Sequence, residues 1–203
     1  LDNGEFSTHL HGVRHTHGRF ADLRITGMHN AVNILASCAA ARILHVPAHA
    51  LSEALHTFPG LPHRLEHIAT HNGITFINDS KATNVDALIK ALAAVPAPIV
   101  LLAGGYDKDG DFAPILPLLH GKVARIIAFG GARAKLARVF DGAVPLEQAA
   151  TLPEAVTTAV AAAPAGATVL LSPGCASYDL YNNFEERGDD FRRCVQAHLV
   201  SQC

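Results

Sequence analysis

The chain has 203 residues, 49% hydrophobic and 17% charged, enough apolar material for one ordinary domain with an extension or for two small ones. Its 16 Lys and Arg against 18 Asp and Glu leave a formal charge of -2, and no basic run is present to neutralise a phosphate backbone, so no nucleic-acid partner is expected. No stretch reaches the roughly 18 uninterrupted apolar residues of a membrane span. Leu1 to Arg14 mixes polar and apolar residues unlike a secretory leader, so no membrane partner is expected and the cytoplasm is the expected location.

Residues 1–26 read as two short strands joined by a Gly- and His-rich turn. His9-Leu10-His11 and His15-Thr16-His17 put alternate histidines on one strand face, a pattern that suits a metal. No carboxylate or cysteine follows at ligand spacing, so a polar surface hairpin is the simpler reading and no metal site is assigned. The spacing of Ala, Ile, Leu and Val predicts a helix over 29–45, with Cys38 as a small core residue. A second helix runs from about Ala48 to His56 behind Pro47. Phe58-Pro59-Gly60-Leu61-Pro62 breaks regular structure and marks a boundary that separates 1–60 from 61–203. Cys38, Cys175, Cys194 and Cys203 form no CxxC pair, and a disulfide framework is not expected.

Beyond the boundary, His63 to Thr70 and Ile74 to Asn78 read as strands around an Asn72-Gly73 turn. Strands and helices then alternate. A helix is predicted over Asn84 to Val95, a strand over Ile99 to Ala103, and a helix over Phe112 to Leu119 despite Pro114 and Pro117. A strand over Val123 to Phe129 and a helix over Arg133 to Phe140 follow. Thr151 caps a helix reaching about Ala163, with Glu154 completing a capping box. Thr168 to Ser172 is a further buried strand, and Asn183 to Val200 the closing helix. Wholly apolar strands between helices indicate an α/β fold: a Rossmann-like, mostly parallel sheet covered on both faces. Ligands of such sheets bind outside the carboxyl ends of the strands.

Polar residues cluster at those ends. One strand runs into Asp79-Ser80-Lys81-Ala82-Thr83-Asn84, another into Gly104-Gly105-Tyr106-Asp107-Lys108, a third into Pro173-Gly174-Cys175-Ala176-Ser177-Tyr178-Asp179. A strand-end lysine pairs with carboxylate or phosphate, and hydroxyls with free N–H groups at helix starts complete an anion site. Asp79, Ser80 and Asn84 also fit plain turn and cap roles. No GxxxxGK[ST] loop is present, and Gly104-Gly105 has the wrong spacing for a phosphate cradle. Gly130-Gly131 reads as a tight turn without a dinucleotide fingerprint. HExxH, GxSxG and CxxC sites are absent.

Asn78-Asp79-Ser80-Lys81-Ala82-Thr83-Asn84 resembles the NDSKATN signature of the D-glutamate-adding Mur ligase family. Four further blocks agree in the family's order. Gly27-Met28-His29-Asn30-Ala31-Val32-Asn33 is similar to its GxHNxxN segment, and Phe58-Pro59-Gly60-Leu61-Pro62-His63-Arg64-Leu65-Glu66 to its FxGLPHRxE segment. Gly104-Gly105-Tyr106-Asp107-Lys108 with Asp111-Phe112 is similar to its GGxxK…DF loop. Ser172 to Asp179, with Asn183-Phe184-Glu185-Glu186-Arg187-Gly188 and Phe191, is similar to its SPxCASxD…FExRGxxF stretch. Sister ligases and folylpolyglutamate synthetase share the architecture but differ at the Asp-Ser-Lys-Ala-Thr-Asn run.

The resemblance implies an ATP-dependent ligase of peptidoglycan precursor synthesis. D-glutamate would be added to UDP-N-acetylmuramoyl-L-alanine through an acyl phosphate. Residues 1–60 would be the tail of the central ATPase domain, and 61–203 the complete Rossmann-like amino-acid-binding domain. The N-terminal domain and most of the central one are missing partners. With them go the phosphate-binding loop, the Mg2+ ligands and a modified lysine, so the fragment alone is expected to be inactive. By the same resemblance, Asn30, Asn33, His63, Arg64 and Asp79 contact ATP, and Lys81 stands near the reacting carbonyl or phosphate. Lys108, Thr83, Ser177, the main chain at Tyr178, and Phe184 hold D-glutamate. Gly174 stands where the family often has Ala, which is expected to loosen its loop slightly. The alternative is a stand-alone, non-catalytic binding module of the same fold.

Overall fold

The computed structural model describes residues 4–10, 12–25 and 27–201; His11 and Cys203 of the readings above lie outside them. Contacts divide the chain into two compact units, Leu1–Gly60 and Leu61–Cys203.

In the first unit β1 (Glu5–Leu10) and β2 (Val13–Arg19) pair antiparallel, and α1 (Met28–Ile43) and α2 (Ala48–Thr57) pack on them. Phe6, Leu23, Ile34 and Cys38 are buried and form its core, with Leu35 and Leu55 against them. The β2 histidines do not present a shared metal face. His17 is only 1% exposed, stacks on Phe6 and bonds through Nε2 to Thr8 Oγ1 at 2.8 Å. His15 Nε2 instead meets the Arg42 guanidinium at 3.2 Å, a neighbour that disfavours a cation. Among the described residues no group of three or more His, Cys, Asp or Glu is placed to hold a metal.

The second unit is built on a six-stranded sheet in the order β3-β4-β8-β5-β6-β7. Its strands are β3 (Glu66–His71), β4 (Ile74–Asn78), β5 (Ile99–Gly104), β6 (Val123–Phe129), β7 (Leu146–Ala149) and β8 (Thr168–Gly174). β3 runs antiparallel to β4, and every other pair is parallel. The helices are α3 (Val85–Ala94), α4 (Leu116–Leu119), α5 (Arg133–Val139), α6 (Leu152–Ala162) and α7 (Phe184–Ser201). β5 shows why a continuous apolar run makes a strand here. Ile99, Leu101 and Ala103 join the core with α3, α4 and α5, while Val100 and Leu102 join the opposite one with α6 and α7. Each fully buried side chain of that size stabilises by about 1.5–3 kcal/mol. Among the described residues no helix is long and apolar enough to cross a membrane.

Four local departures from the sequence reading have physical causes. β3 starts at Glu66 rather than His63, because His63 and Leu65 adopt φ of 61° and 46° and bond to the loop after β4 instead of to a strand. Phe112 to Leu119 is a 3-10 turn (Ala113–Ile115) followed by one turn of α4, since Pro114 and Pro117 each remove a helical donor. β7 was not anticipated: Leu-Glu-Gln-Ala carries no β-branched residue, and the strand pairs only with β6 at the sheet's edge. Thr151 does cap α6, but Glu154 reaches back to the Ala150 N–H at 2.7 Å, one residue before the cap.

Burial lowers the basicity of His17, helped by the charge of Arg42 and by the nearby His15 ring. The native state therefore holds the neutral ring, while the unfolded chain takes up a proton near the ordinary histidine value of about 6.5. Stability from this group is complete above that value and is lost as pH falls through it toward the lower native value. Protection factors of the β1 and β2 amides, corrected for the intrinsic slowing of exchange in acid, should fall on acidification from pH 7 to 5.5, and His17→Gln should flatten that dependence. An unchanged pH dependence in the variant would remove His17 as its source.

Candidate active site

β4, β8 and β5 are neighbours and parallel, so their carboxyl ends lie side by side at one edge of the sheet. The loops that follow are sewn together by backbone bonds. Gly174 N–H donates to Ala82 O at 2.9 Å, and Tyr106 and Ala176 exchange two N–H···O bonds at 2.9 and 3.1 Å. The three polar clusters picked out in the sequence therefore converge.

At their centre is Arg187 of α7, wholly buried. Its Nε donates to Ser80 Oγ at 3.0 Å and its Nη2 to Ser80 O at 2.8 Å. Nη1 donates to Cys175 O at 3.1 Å and to Ala176 O at 3.0 Å. Every acceptor is neutral. Burial pulls the guanidinium down to about 10, partly offset by the negative charge of Asp179, so the group stays charged at neutral pH. No role was assigned to Arg187 or Gly188 from the sequence; their place in the FExRG block was the available signal. Gly188 matters through space: a Cβ there would lie 2.1 Å from His63 Nδ1.

The loop after β4 is held by its own side chains. Asn78 Oδ1 accepts from Ser80 N–H, and Asn78 Nδ2 lies within bonding distance of His63 Nδ1, Glu66 Oε2 and Gly188 O at 3.0–3.2 Å. An amide NH2 only donates, so His63 Nδ1 accepts and Nε2 carries the proton toward Asp189, 3.9 Å away. Asp79 Oδ1 accepts from Leu65 N–H at 3.2 Å and Oδ2 from Ser172 Oγ at 2.8 Å. Burial pushes its carboxyl up to about 6, against the Ser172 and Leu65 bonds and the charge of Arg64. A raised native value means this group favours the fold below its ordinary value of 3.8 and loses that contribution as pH rises through about 6. Asn84 Oδ1 caps α3 by accepting Ala87 N–H at 2.9 Å. Cap bonding thus accounts for Asn84, whereas Asn78 and Ser80 also bond to Gly188, Phe184 and Arg187, far along the chain.

Lys81 and Thr83 are half-buried on this loop, and Lys81 Nζ stands 3.8 Å over the Phe184 ring, whose other neighbour is His63 at 6.1 Å edge to face. Arg64 is exposed. Lys108 is exposed on the loop after β5, and Ser177 is buried after β8, its carbonyl accepting Leu180 and Tyr181 N–H. Tyr178 is 70% exposed and borders a polar cleft of about 510 Å³ with Asp179, Asn182, Glu186 and Arg193. Gly174 sits at φ 66° in the left-handed region, where a side chain would be strained and its Cβ 3.0 Å from Leu88 Cδ2. Glycine there relieves the backbone rather than loosening the loop. Asn30 and Asn33 belong to the first unit, one helical turn apart near the start of α1, with Asn33 exposed.

Lysine offers fewer donors in a different geometry and cannot satisfy all of these acceptors at once. Arg187→Lys should therefore lower stability by about 2–4 kcal/mol, read from denaturant unfolding followed by far-UV circular dichroism. A loss below about 0.5 kcal/mol, the range of ordinary surface changes, would show that the loops do not depend on this group.

Residues 63–175 match the family described as Mur ligase, glutamate ligase domain. The chain is 48% identical over 173 residues to the UDP-N-acetylmuramoylalanine–D-glutamate ligase of Chlorobium chlorochromatii, covering 85% of this chain and 37% of that protein. It is 43% identical over 192 residues to the protein of the same name from Chlorobium luteolum, covering 95% and 42%. The chain thus spans about two fifths of the length of these curated relatives. Among solved structures it resembles a pseudomurein peptide ligase type C from Methanothermus fervidus (TM-score 0.70, 19% identity, 97% of this chain and 40% of that one). It also resembles the UDP-N-acetylmuramate-alanine ligase of Thermotoga maritima (TM-score 0.68, 18% identity, 93% and 40%). At these identities the structural likeness bears on the fold alone. The family match covers more than half of the chain, which therefore belongs to the Mur ligase family and carries its glutamate ligase domain.

Proposed function

We propose that this chain is the amino-acid-binding portion of an ATP-dependent ligase that joins D-glutamate to UDP-N-acetylmuramoyl-L-alanine. The observation that carries the reading is the convergence of the β4, β5 and β8 loops, with Lys81, Lys108 and Ser177 on them, at one sheet edge. The names of the relatives at 43–48% identity support it. Residues 61–203 form the amino-acid-binding domain in this reading, and 1–60 are the tail of a central ATP-binding domain.

A free carboxylate is a poor electrophile, so the L-alanine carboxylate first attacks the γ-phosphate of ATP, forming an acyl phosphate and releasing ADP. The D-glutamate amine then attacks the acyl carbon, and the tetrahedral intermediate expels phosphate. Such chemistry needs positioning and charge neutralisation more than covalent help from the protein. Lys108 pairs with a D-glutamate carboxylate, assisted by Thr83, Ser177, the Tyr178 main chain and Phe184. Lys81 neutralises charge developing at the acyl phosphate. Asn30 and Asn33 suit an adenine edge because an amide both donates and accepts. Arg64 and Asp79, with His63 behind them, serve the ribose and phosphates. Mg2+ would bind to residues outside this sequence, beside the phosphate-binding loop. An ATP-driven step on a nucleotide-linked precursor belongs in the cytoplasm.

The test uses the longer protein. It should release ADP over many turnovers only when D-glutamate and UDP-N-acetylmuramoyl-L-alanine are both supplied, while the 203-residue chain alone should release none. Lys108→Ala should raise the KM for D-glutamate by about 10–100-fold and leave the KM for ATP nearly unchanged. Unaltered D-glutamate kinetics in that variant would take Lys108 out of the site. Turnover with another amino acid in place of D-glutamate would overturn the substrate assignment.

A further inference from the structure

The loop that presents Lys108 is polar and exposed over Lys108 and Asp109, and Asp109 adopts φ 58°. Its near end is fixed by the Tyr106–Ala176 bonds and its far end by Phe112, 1% exposed in the core. Between those ends the side chain of Asp107 does the holding. Its Oδ1 accepts Gly110 N–H at 3.0 Å, closing a turn around Lys108 and Asp109. Its Oδ2 accepts from Lys135 Nζ at 2.7 Å, and Lys135 belongs to α5, the helix after β6.

This ion pair is more sheltered than most surface pairs: the side chains of Lys135 and Asp107 are 31% and 23% exposed. Lys135 Nζ also stands 5.6 Å from the centre of the Phe112 ring, which steadies the cation from a second side. Burial pushes the Asp107 carboxyl up, yet the bonds from Lys135 and Gly110 outweigh it and hold the group below the usual carboxylate range. Asp107 is thus an anion whose charge is already answered. Were it not, the nearest cation along the chain would be Lys108 itself, the group assigned to a substrate carboxylate.

We propose that Lys135 is a positioning and specificity residue for D-glutamate: by engaging Asp107 it anchors the β5 loop and keeps that carboxylate from occupying Lys108. The proposal rests on the reading of Lys108 as the substrate clamp. Lys135 touches no substrate in this account; it acts through Asp107.

Steady-state kinetics of the full-length ligase test it. Lys135→Met should raise the KM for D-glutamate about tenfold, with kcat and the KM for ATP changed by less than about twofold. Lys135→Arg should behave as wild type, and Lys135→Gln, which keeps a donor without charge, should fall between. The decisive variant is Lys135→Met with Asp107→Asn: removing the orphaned carboxylate should restore most of the lost affinity. A purely structural role would instead lower thermal stability and kcat together, and would make the double variant worse. The proposal is overturned if Lys135→Met and Lys135→Gln keep the wild-type KM for D-glutamate, if all Michaelis constants rise in parallel, or if the double variant shows no recovery. Lys108→Ala is the control. If it too has normal D-glutamate kinetics, the clamp reading has failed and the proposal goes with it. If it is impaired while Lys135→Met is not, only the role of Lys135 is lost.

Discussion

A guanidinium buried among neutral carbonyls organises the carboxyl edge of the sheet. Arg187 gives up hydration that is worth several kcal/mol to an ion, and neutral acceptors return less than a carboxylate would. What it gains is reach: four hydrogen bonds, at 2.8–3.1 Å, spread over the loops after β4 and β8. A carboxylate partner would have satisfied the charge at one point and left those loops joined by their backbone bond alone. Neutral acceptors add no opposing charge, and part of it comes from Asp179 instead.

Close approach is the other condition. A Cβ on Gly105 would stand 2.4 Å from Ala176 O and 3.0 Å from Arg187 Nη1, so any side chain there would push the β5 loop away from both the β8 loop and the guanidinium. Gly188 plays the same part on α7, letting the His63 ring lie against the helix while Asn78 bonds to the Gly188 carbonyl. Glycine and arginine therefore act as one device. The glycines allow the backbones to meet, and Arg187 makes the meeting favourable.

The layered fold was legible because the period of the apolar residues reports burial directly. Ile99 to Ala103 is apolar at every position since both faces of β5 are covered, and no surface strand has that pattern. Asn84 and Thr151 were legible as caps because a short polar side chain before a helical run has few other uses. His63 to Leu65 was not legible as irregular backbone. His-Arg-Leu carries no glycine, and its left-handed residues are held by bonds to the β4 loop that only the tertiary fold brings near. The clustering of strand ends could be read once a parallel sheet was inferred. The order β4-β8-β5, which makes the three clusters neighbours, depends on crossovers that local sequence does not encode. Arg187 was hidden for a related reason: an arginine among Glu, Gly and Asp on a helix looks solvated until the chain folds around it.

The exposure of the groups that would meet substrate follows from the chemistry proposed for them. Lys108 is exposed and Tyr178 is 70% exposed, while the framework beneath them, Arg187, Ser80 and Asn78, is completely buried. An acyl phosphate must be kept from water, because hydrolysis would waste the ATP that made it. One sheet edge could not by itself exclude water from the three-substrate reaction proposed. It can only offer a rigid wall whose outer groups are ready to be covered, and a preformed wall lessens the ordering required when the amino acid arrives. Burial therefore divides this unit into an inner layer, where Arg187, Ser80 and Asn78 are hydrogen-bonded to their neighbours, and an outer layer left open. On the proposed reaction a second wall would carry the ATP phosphates, and the chain spans about two fifths of the length of its curated relatives.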